Sequence, residues 1–348
     1  MARLLADGFI SNREPLPPLQ ISPETFANPI YDGADPWMVR HDDVYYSCNT
    51  GSGGCIEIWK SDSLIERGER TVVWSPPRGG WNRAEVWAPE LHYVRGAWYI
   101  YYAASDGRNA NHRMGVLRSL GEDAQGPYES LGQMYTGDDI DARTANRWAI
   151  DGTILELNQQ LYFIWSGWEG HCDIQHLFIA KMSDPATICS NRVKLCANNE
   201  HIWGYVGHDQ KARGLHEGPA MLRRNGRVIL IYSCSGSWQA TYKLGMLSMR
   251  ENTNPMDPAS WVKHPTPVFE STVDVFGVGH CSFVTSNDGR EDWMLFHSKK
   301  SRSDGWDRQV HAQQFGWTAN GLPDFGKPIA AGEVIATPSV RTSRQRAA

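Results

Sequence analysis

Five times along this chain a polar or charged residue beside Gly or Pro opens a short apolar run, a charged turn follows, and an aromatic-rich strand returns. The first copy runs from Ala34–Val39 to Val44–Ser47 and Ile56–Ser61, and the second from Trp87–Val94 to Ala97–Tyr102 and Met114–Ser119. The third runs from Ala149–Leu155 to Leu161–Ser166 and Leu177–Ser183, and the fourth from Glu217 through Val228–Ser233 to Tyr242–Ser248. The fifth runs from Gly279–Val284 to Trp293–Ser298 and Val310–Trp317. Asp35, Glu90, Asp151, Glu217 and His280, which mark the strand starts, are 55, 61, 66 and 63 positions apart. A unit of this size cannot bury its own faces, so copies at a near-constant period must stack on one another. The pattern predicts an all-β fold, a five-bladed β-propeller with its pocket on the central axis. The fourth strands are expected in weaker stretches such as Thr71–Trp74 and Pro267–Phe269. A tandem sandwich is the competing architecture, but it gives no reason for anchors to recur at strand starts.

Composition agrees with strands and tight turns: the 348 residues hold 15 Trp, 13 Tyr and 33 Gly. Most of the tryptophans are read as core filler, and a minority on loops would offer flat apolar faces to a sugar ring. The net charge of −5, from 34 Lys and Arg against 39 Asp and Glu without a like-charge run, argues against nucleic-acid or acidic-membrane partners. No apolar run is long enough to span a membrane, and the N-terminus turns polar too soon for a signal peptide. Seven scattered cysteines read as free buried thiols rather than a disulfide framework, with Cys48–Cys55 and Cys189–Cys196 the local pairings to be weighed. The expected organisation is an irregular Pro-rich arm over residues 1–27, one catalytic propeller over 28–330 and a tail over 331–348.

The innermost strand of a propeller blade runs beside the axis, so the five anchors converge on one pocket. Polar groups buried there are either paired or functional. Glycoside hydrolysis needs two carboxyl groups flanking the bond, one protonated and one ionised. Glu217, with the longer reach, is the candidate acid for the leaving oxygen, and Asp35 the candidate base for water. Asp151 is the neighbour whose charge would keep Glu217 protonated. Singly, each sits in a motif that is also an ordinary turn former. Their recurrence at equivalent points of a repeat favours chemistry.

Gly33-Ala34-Asp35-Pro36-Trp37, Trp87-Ala88-Pro89-Glu90, Ala149-Ile150-Asp151-Gly152-Thr153, Glu217-Gly218-Pro219 and Gly277-Val278-Gly279-His280 together resemble, in order, the motif series of glycoside hydrolase family 43. The resemblance covers about residues 28–330. It implies a five-bladed propeller and an inverting mechanism, with the base at Asp35, the pKa-modulating and orienting acid at Asp151 and the general acid at Glu217. Softer motifs, among them Gly167–Gly170 and Asp257–Trp261, most resemble exo-acting α-L-arabinofuranosidases. The implied substrate is an arabinose-bearing oligosaccharide or plant cell-wall polysaccharide. β-Xylosidase, galactofuranosidase and endo-arabinanase activities share the scaffold. A propeller that binds carbohydrate without cleaving it is a further reading, which the presence of all three acids disfavours.

The resemblance also places Arg308 against substrate hydroxyls, a surface ion pair being the alternative. A guanidinium suits vicinal hydroxyls because its donors form a rigid fork. Trp37, Trp87 and Trp168 stand next to the motifs and are expected as walls for sugar stacking, with core packing as the alternative for each. His280 matches a position that in many family members faces a metal, often calcium, or an axial water cluster. The chemistry itself calls for no cofactor. Long loops at 105–113, 137–147 and 200–215 are available to close one end of the pocket.

Overall fold

The computed structural model describes residues 24–170, 174–205 and 214–341. Five separate antiparallel sheets account for nearly all of its strands. The first blade consists of Trp37–His41, Val44–Thr50, Ile56–Ser61 and Glu69–Trp74, and the second of Ala84–Val94, Ala97–Ser105, Arg113–Ser119 and Tyr128–Gln133. The third has Ala149–Leu157, Gln160–Trp168 and Gln175–Asp184, whose outer edge pairs with both Thr187–Ile188 and Val193–Cys196. The fourth has His216–Arg224, Arg227–Cys234, Lys243–Arg250 and Val262–Lys263. The fifth has Gly279–Thr285, Asp292–Lys299 and Arg308–Trp317, and its outer strand is Tyr31–Asp32 from the other end of the chain. The fold is therefore a five-bladed propeller, and the sandwich alternative falls.

Two details differ from the sequence reading. Pro267–Phe269 is not the fourth strand of its blade: Val262–Lys263 fills that place, and Phe269 makes a single bridge to Leu244. The outer strand of the fifth blade was not anticipated. Tyr31 pairs with Val310 and Asp32 with Gln309, so the ring closes by joining distant parts of the chain. Outside this strand Thr25–Ala27 pairs with Val334–Ala336.

The second strand of each blade is covered on both faces, which explains its unbroken apolar run. Trp98, Tyr101, Tyr102, Phe163, Trp165, Tyr232, Trp293 and Phe296 on these strands are fully buried. Apolar side chains meet between blades: Met114, Phe163 and Phe178 join the second and third, and Ile164, Leu230 and Leu247 the third and fourth. Burial at blade interfaces is what obliges the units to close on one another. The described cysteines Cys48, Cys55, Cys189, Cys196, Cys234 and Cys281 are free, and all but Cys189 are buried. Cys172 lies outside the described residues.

One backbone feature repeats at the axis. Asp35, Ala88, Asp151, Gly218 and His280 all have positive φ, between 40° and 55°, in or just before the innermost strand of each blade. Side chains with a Cβ avoid this region, so its fivefold use marks a shared bend where the chain enters the axis. The equivalent positions of the second and fourth blades are thus Ala88 and Gly218, one or two residues from the Glu90 and Glu217 that the sequence spacing selected.

Candidate active site

A pocket of about 780 Å³ opens on the axis and is lined by Asp35, Asp151, Glu217, His280 and Arg308, with Gln175, Ser237 and the tryptophans Trp87, Trp148, Trp168, Trp238 and Trp306. Seven of these, Asp35, Asp151, Glu217, His280, Arg308, Trp87 and Trp168, are expected there from the sequence. The sequence also places Trp37 there, and this is corrected. Trp37 is buried in the core, donates its indole N–H to Leu91 O at 2.8 Å and packs on His92, because the second residue after the Asp35 bend turns its side chain between blades.

The bends explain how the acids reach one point. At Gly218, φ is 55° and a Cβ would stand 3.2 Å from the His280 ring, so only glycine lets the fourth strand approach so closely. Its freed N–H donates to Asp151 Oδ2 at 3.0 Å, tying the third and fourth blades across the axis. Glu217 is 7% exposed; Tyr242 donates its hydroxyl to Oε1 at 2.8 Å and Gln175 an amide hydrogen to Oε2 at 3.3 Å. Asp35 sits among cations and imidazoles: Arg308 Nη1 donates to its Oδ1 at 3.1 Å, and the Nδ1 atoms of His280 and His297 each lie 3.2 Å from the same oxygen. The Asp35 backbone N–H donates to His297 Nδ1 at 3.1 Å, which fixes the bend.

These neighbours drive the carboxyls apart. Burial alone would raise the Asp35 carboxyl, but Arg308, His280 and His297 together hold it well below the usual carboxylate range. Burial raises Glu217 to about 7, with the negative Asp35 adding to the rise and the Tyr242 hydrogen bond opposing it. Asp151 is likewise pushed well up, first by burial and then by repulsion from Glu217 and Asp35. Near neutrality the pocket therefore offers one ionised carboxylate, Asp35, beside a Glu217 carboxyl poised to hold a proton and an Asp151 carboxyl that resists ionisation.

Glu90 is buried away from the pocket lining, with Oε2 at 2.9 Å from His92 Nε2. His280 is spent on Asp35, and its backbone N–H donates to Ser233 Oγ at 2.8 Å. Among the described residues no group of three or more His, Cys, Asp or Glu could hold a metal, so the side chains around His280 do not form a cation cage.

The aromatic walls are only partly those expected. Trp168 stacks on Trp148 at 4.8 Å and 11°, and Trp87 lies on His112 at 3.7 Å. Trp148 stands directly before the Asp151 motif and could have been found by that adjacency. Trp238 and Trp306 come from loops without a repeat signature; Tyr242 directly precedes the strand Lys243–Arg250 and His297 lies in Asp292–Lys299, stretches whose pattern signals only burial. Of the three long loops, 105–113 supplies Asn109 and 200–215 supplies Gly214 and Leu215, whereas 137–147 supplies no lining residue. Residues 206–213 of the second lie outside the described residues.

Two carboxyl groups of opposite protonation state, facing a sugar-sized and tryptophan-walled pocket on a propeller axis, define a propeller of the glycoside-hydrolase type. The comparison with known proteins gives the family: residues 26–323 match the model of glycosyl hydrolases family 43, and the chain belongs to that family. It is 31% identical over 317 residues to alpha-L-arabinofuranosidase 43 of Humicola insolens, covering 87% of this chain and 63% of that protein. It is also 31% identical over 324 residues to an extracellular exo-alpha-(1->5)-L-arabinofuranosidase of Streptomyces avermitilis, covering 88% and 64%. The chain thus spans less than two thirds of the length of these two relatives. A crystal structure of alpha-L-arabinofuranosidase from Lactobacillus brevis superposes with a TM-score of 0.80 at 31% identity, covering 88% of this chain and 98% of that one.

Proposed function

We propose that this protein removes terminal α-L-arabinofuranosyl units from arabinan or arabino-oligosaccharides with inversion at the anomeric carbon. The observation that carries the reading is the opposed protonation of Asp35 and Glu217 in one pocket. The relatives at 31% identity, all arabinofuranosidases by name, support the choice of sugar. Glu217 donates its proton to the leaving oxygen as the glycosidic C–O bond breaks. Asp35 accepts a proton from the water whose oxygen bonds to the anomeric carbon from the opposite face. Asp151 accepts the Gly218 N–H and so keeps the bend in place, while the negative Asp35 helps keep the acid loaded. Arg308 keeps Asp35 ionised and offers its remaining donors to sugar hydroxyls. Turnover ends with Glu217 ionised and Asp35 protonated, and proton exchange with solvent resets both. Neither transfer calls on a metal ion, and the rate should survive treatment with a strong chelator; loss of activity restored by calcium would overturn the cofactor-free chemistry.

Product analysis on linear α-1,5-arabino-oligosaccharides tests the reading. Arabinose as the sole product from the first time point is expected. A ladder of shorter oligomers would mean endo action, and hydrolysis confined to aryl β-xyloside or β-galactofuranoside would move the assignment to that sugar. Proton NMR of the first turnovers should show the β-anomer before mutarotation, and the α-anomer would refute inversion.

A further inference from the structure

We propose that Lys299 is a positioning residue that sets Trp238 and Trp306 as the platform for the leaving sugar, one unit beyond the cleaved bond. The inference rests on the exo-acting reading above. Lys299 ends the strand Asp292–Lys299 and is 3% exposed, a rare state for an ammonium group. Its Nζ donates at 2.6 Å to Trp238 O and at 2.6 Å to Gly305 O, two carbonyls on different loops. The Gly305 N–H donates in turn to Trp238 O at 2.9 Å, and the Lys299 N–H to Phe276 O at 2.9 Å, so one residue joins three loops. A cation buried against carbonyls costs solvation and is compensated only by strong directed hydrogen bonds. Holding two backbone segments at a fixed separation is the gain.

Two glycines clear the way. A Cβ at Gly277, where φ is 62°, would come within 2.7 Å of the Lys299 stem, and one at Gly236 within 2.8 Å of the Trp238 ring. The tryptophans so held have ring centroids 5.5 Å apart at 51°, and the Arg308 guanidinium lies 5.6 Å from the Trp306 ring. Trp306 is 63% exposed although it lines the pocket, which puts it at the mouth while Glu217 and Asp151 lie deep. When the terminal sugar fills the inner end, the remainder of the oligosaccharide has to leave past Trp306. An exposed indole is costly on a free surface and suits the apolar face of a pentose ring.

The test compares Lys299→Met and Trp306→Ala on α-1,5-arabinotriose and on α-L-arabinofuranosyl azide, whose leaving group is too small to reach the rim. Lys299→Met should raise KM for the triose by about five- to tenfold, the range expected for one aromatic contact. Its kcat for the triose and its kinetics on the azide should stay at the wild-type level. Adding it to Trp306→Ala should give no further loss, because the lysine acts through the indole. In the free protein its near-ultraviolet circular dichroism should lose the Trp238–Trp306 signal while the unfolding transition remains cooperative. If Lys299→Met does not fold, Lys299→Gln, which keeps a polar end but is uncharged and shorter, takes its place with the same readouts. Equal losses on triose and azide, additive losses in the double variant, or an unchanged dichroism spectrum would each overturn the proposal. A wild-type protein that cleaves neither arabinoside overturns the arabinofuranosidase reading and the leaving-sugar role with it, while the dichroism arm still decides whether Lys299 sets the pair.

Discussion

At Glu217 the Tyr242 hydroxyl donates to the oxygen that would otherwise be free to lose its charge by protonation, so it pulls the carboxyl down against the effect of burial. Tyr242→Phe removes that pull. The acid then stays protonated to higher pH, and the alkaline limb of kcat/KM should move upward from about 7; a limb that stays or moves down would contradict the geometry. Arg308 acts in the same sense on Asp35, holding its carboxyl down. Arg308→Met should raise the Asp35 carboxyl, bring the acidic limb up into the measured range and lower kcat/KM, read from the same pH profile. Glu217→Gln should lose about 10²–10⁴ in rate on natural oligosaccharides, where the leaving oxygen needs a proton, and far less on aryl glycosides with good leaving groups. Asp35→Asn should fail on both kinds of substrate, since the water goes unactivated. An Asp35→Asn enzyme that turns over an aryl arabinoside at the wild-type rate would sink the base assignment.

Ring closure is a matter of elements. Tyr31–Asp32 completes the fifth blade, and just before it Asn28, 2% exposed, makes two bonds to Ala312, donating from Nδ2 to its carbonyl at 2.9 Å and accepting its N–H at 2.9 Å. The Asn28 amide thus does for one residue what a strand partner does along a ladder. Asn28→Ala leaves both Ala312 groups buried without partners, for a loss of about 2–4 kcal/mol in denaturant unfolding. Pocket chemistry measured on the surviving folded fraction should be unchanged, because Asn28 touches no lining residue. The inner strands follow a different logic: four of the five bends are filled by side-chain-bearing residues at positive φ, a strain the surrounding blades maintain because it aims Asp35, Asp151 and His280 at the axis.

For the whole molecule, the pocket is a cost to stability that depends on pH. Glu217 has a folded-state pKa raised from 4.5 to about 7, so the folded protein resists its ionisation. Its stability contribution is intact below the unfolded value and declines as pH rises through about 7, reaching about 3 kcal/mol. Glu217→Gln carries no such charge. At pH 8 it should unfold at higher denaturant concentration than wild type, and at pH 4 the two should coincide; a constant difference across this range would mean that Glu217 is not a strained acid. Asp35 has the opposite sign, because its lowered pKa contributes stability above the unfolded value that is lost only in strong acid.

What the chain alone determined is what consecutive residues can encode. The alternation of turns with aromatic strands fixed the blade unit, its recurrence fixed five copies, and the motifs next to the turns supplied the residue types for acid and base. Fourth strands were harder to read, since edge strands need little burial: Glu69–Trp74 was legible, whereas Val262–Lys263 was displaced from the expected Pro267–Phe269. Tertiary structure decided everything that depends on partners remote in sequence. His297 accepts the Asp35 N–H across 262 positions and Tyr31 pairs with Val310, pairings that no local pattern announces. Trp37 and Trp87 both flank motifs, yet one is buried between blades and the other stands at the pocket, because strand register at the bend selects the face each indole takes. Protonation was decided there as well. An aspartate beside Arg308 and a glutamate sealed under Tyr242 differ little as letters, and it is burial and the nearest charge that make one a base and the other an acid.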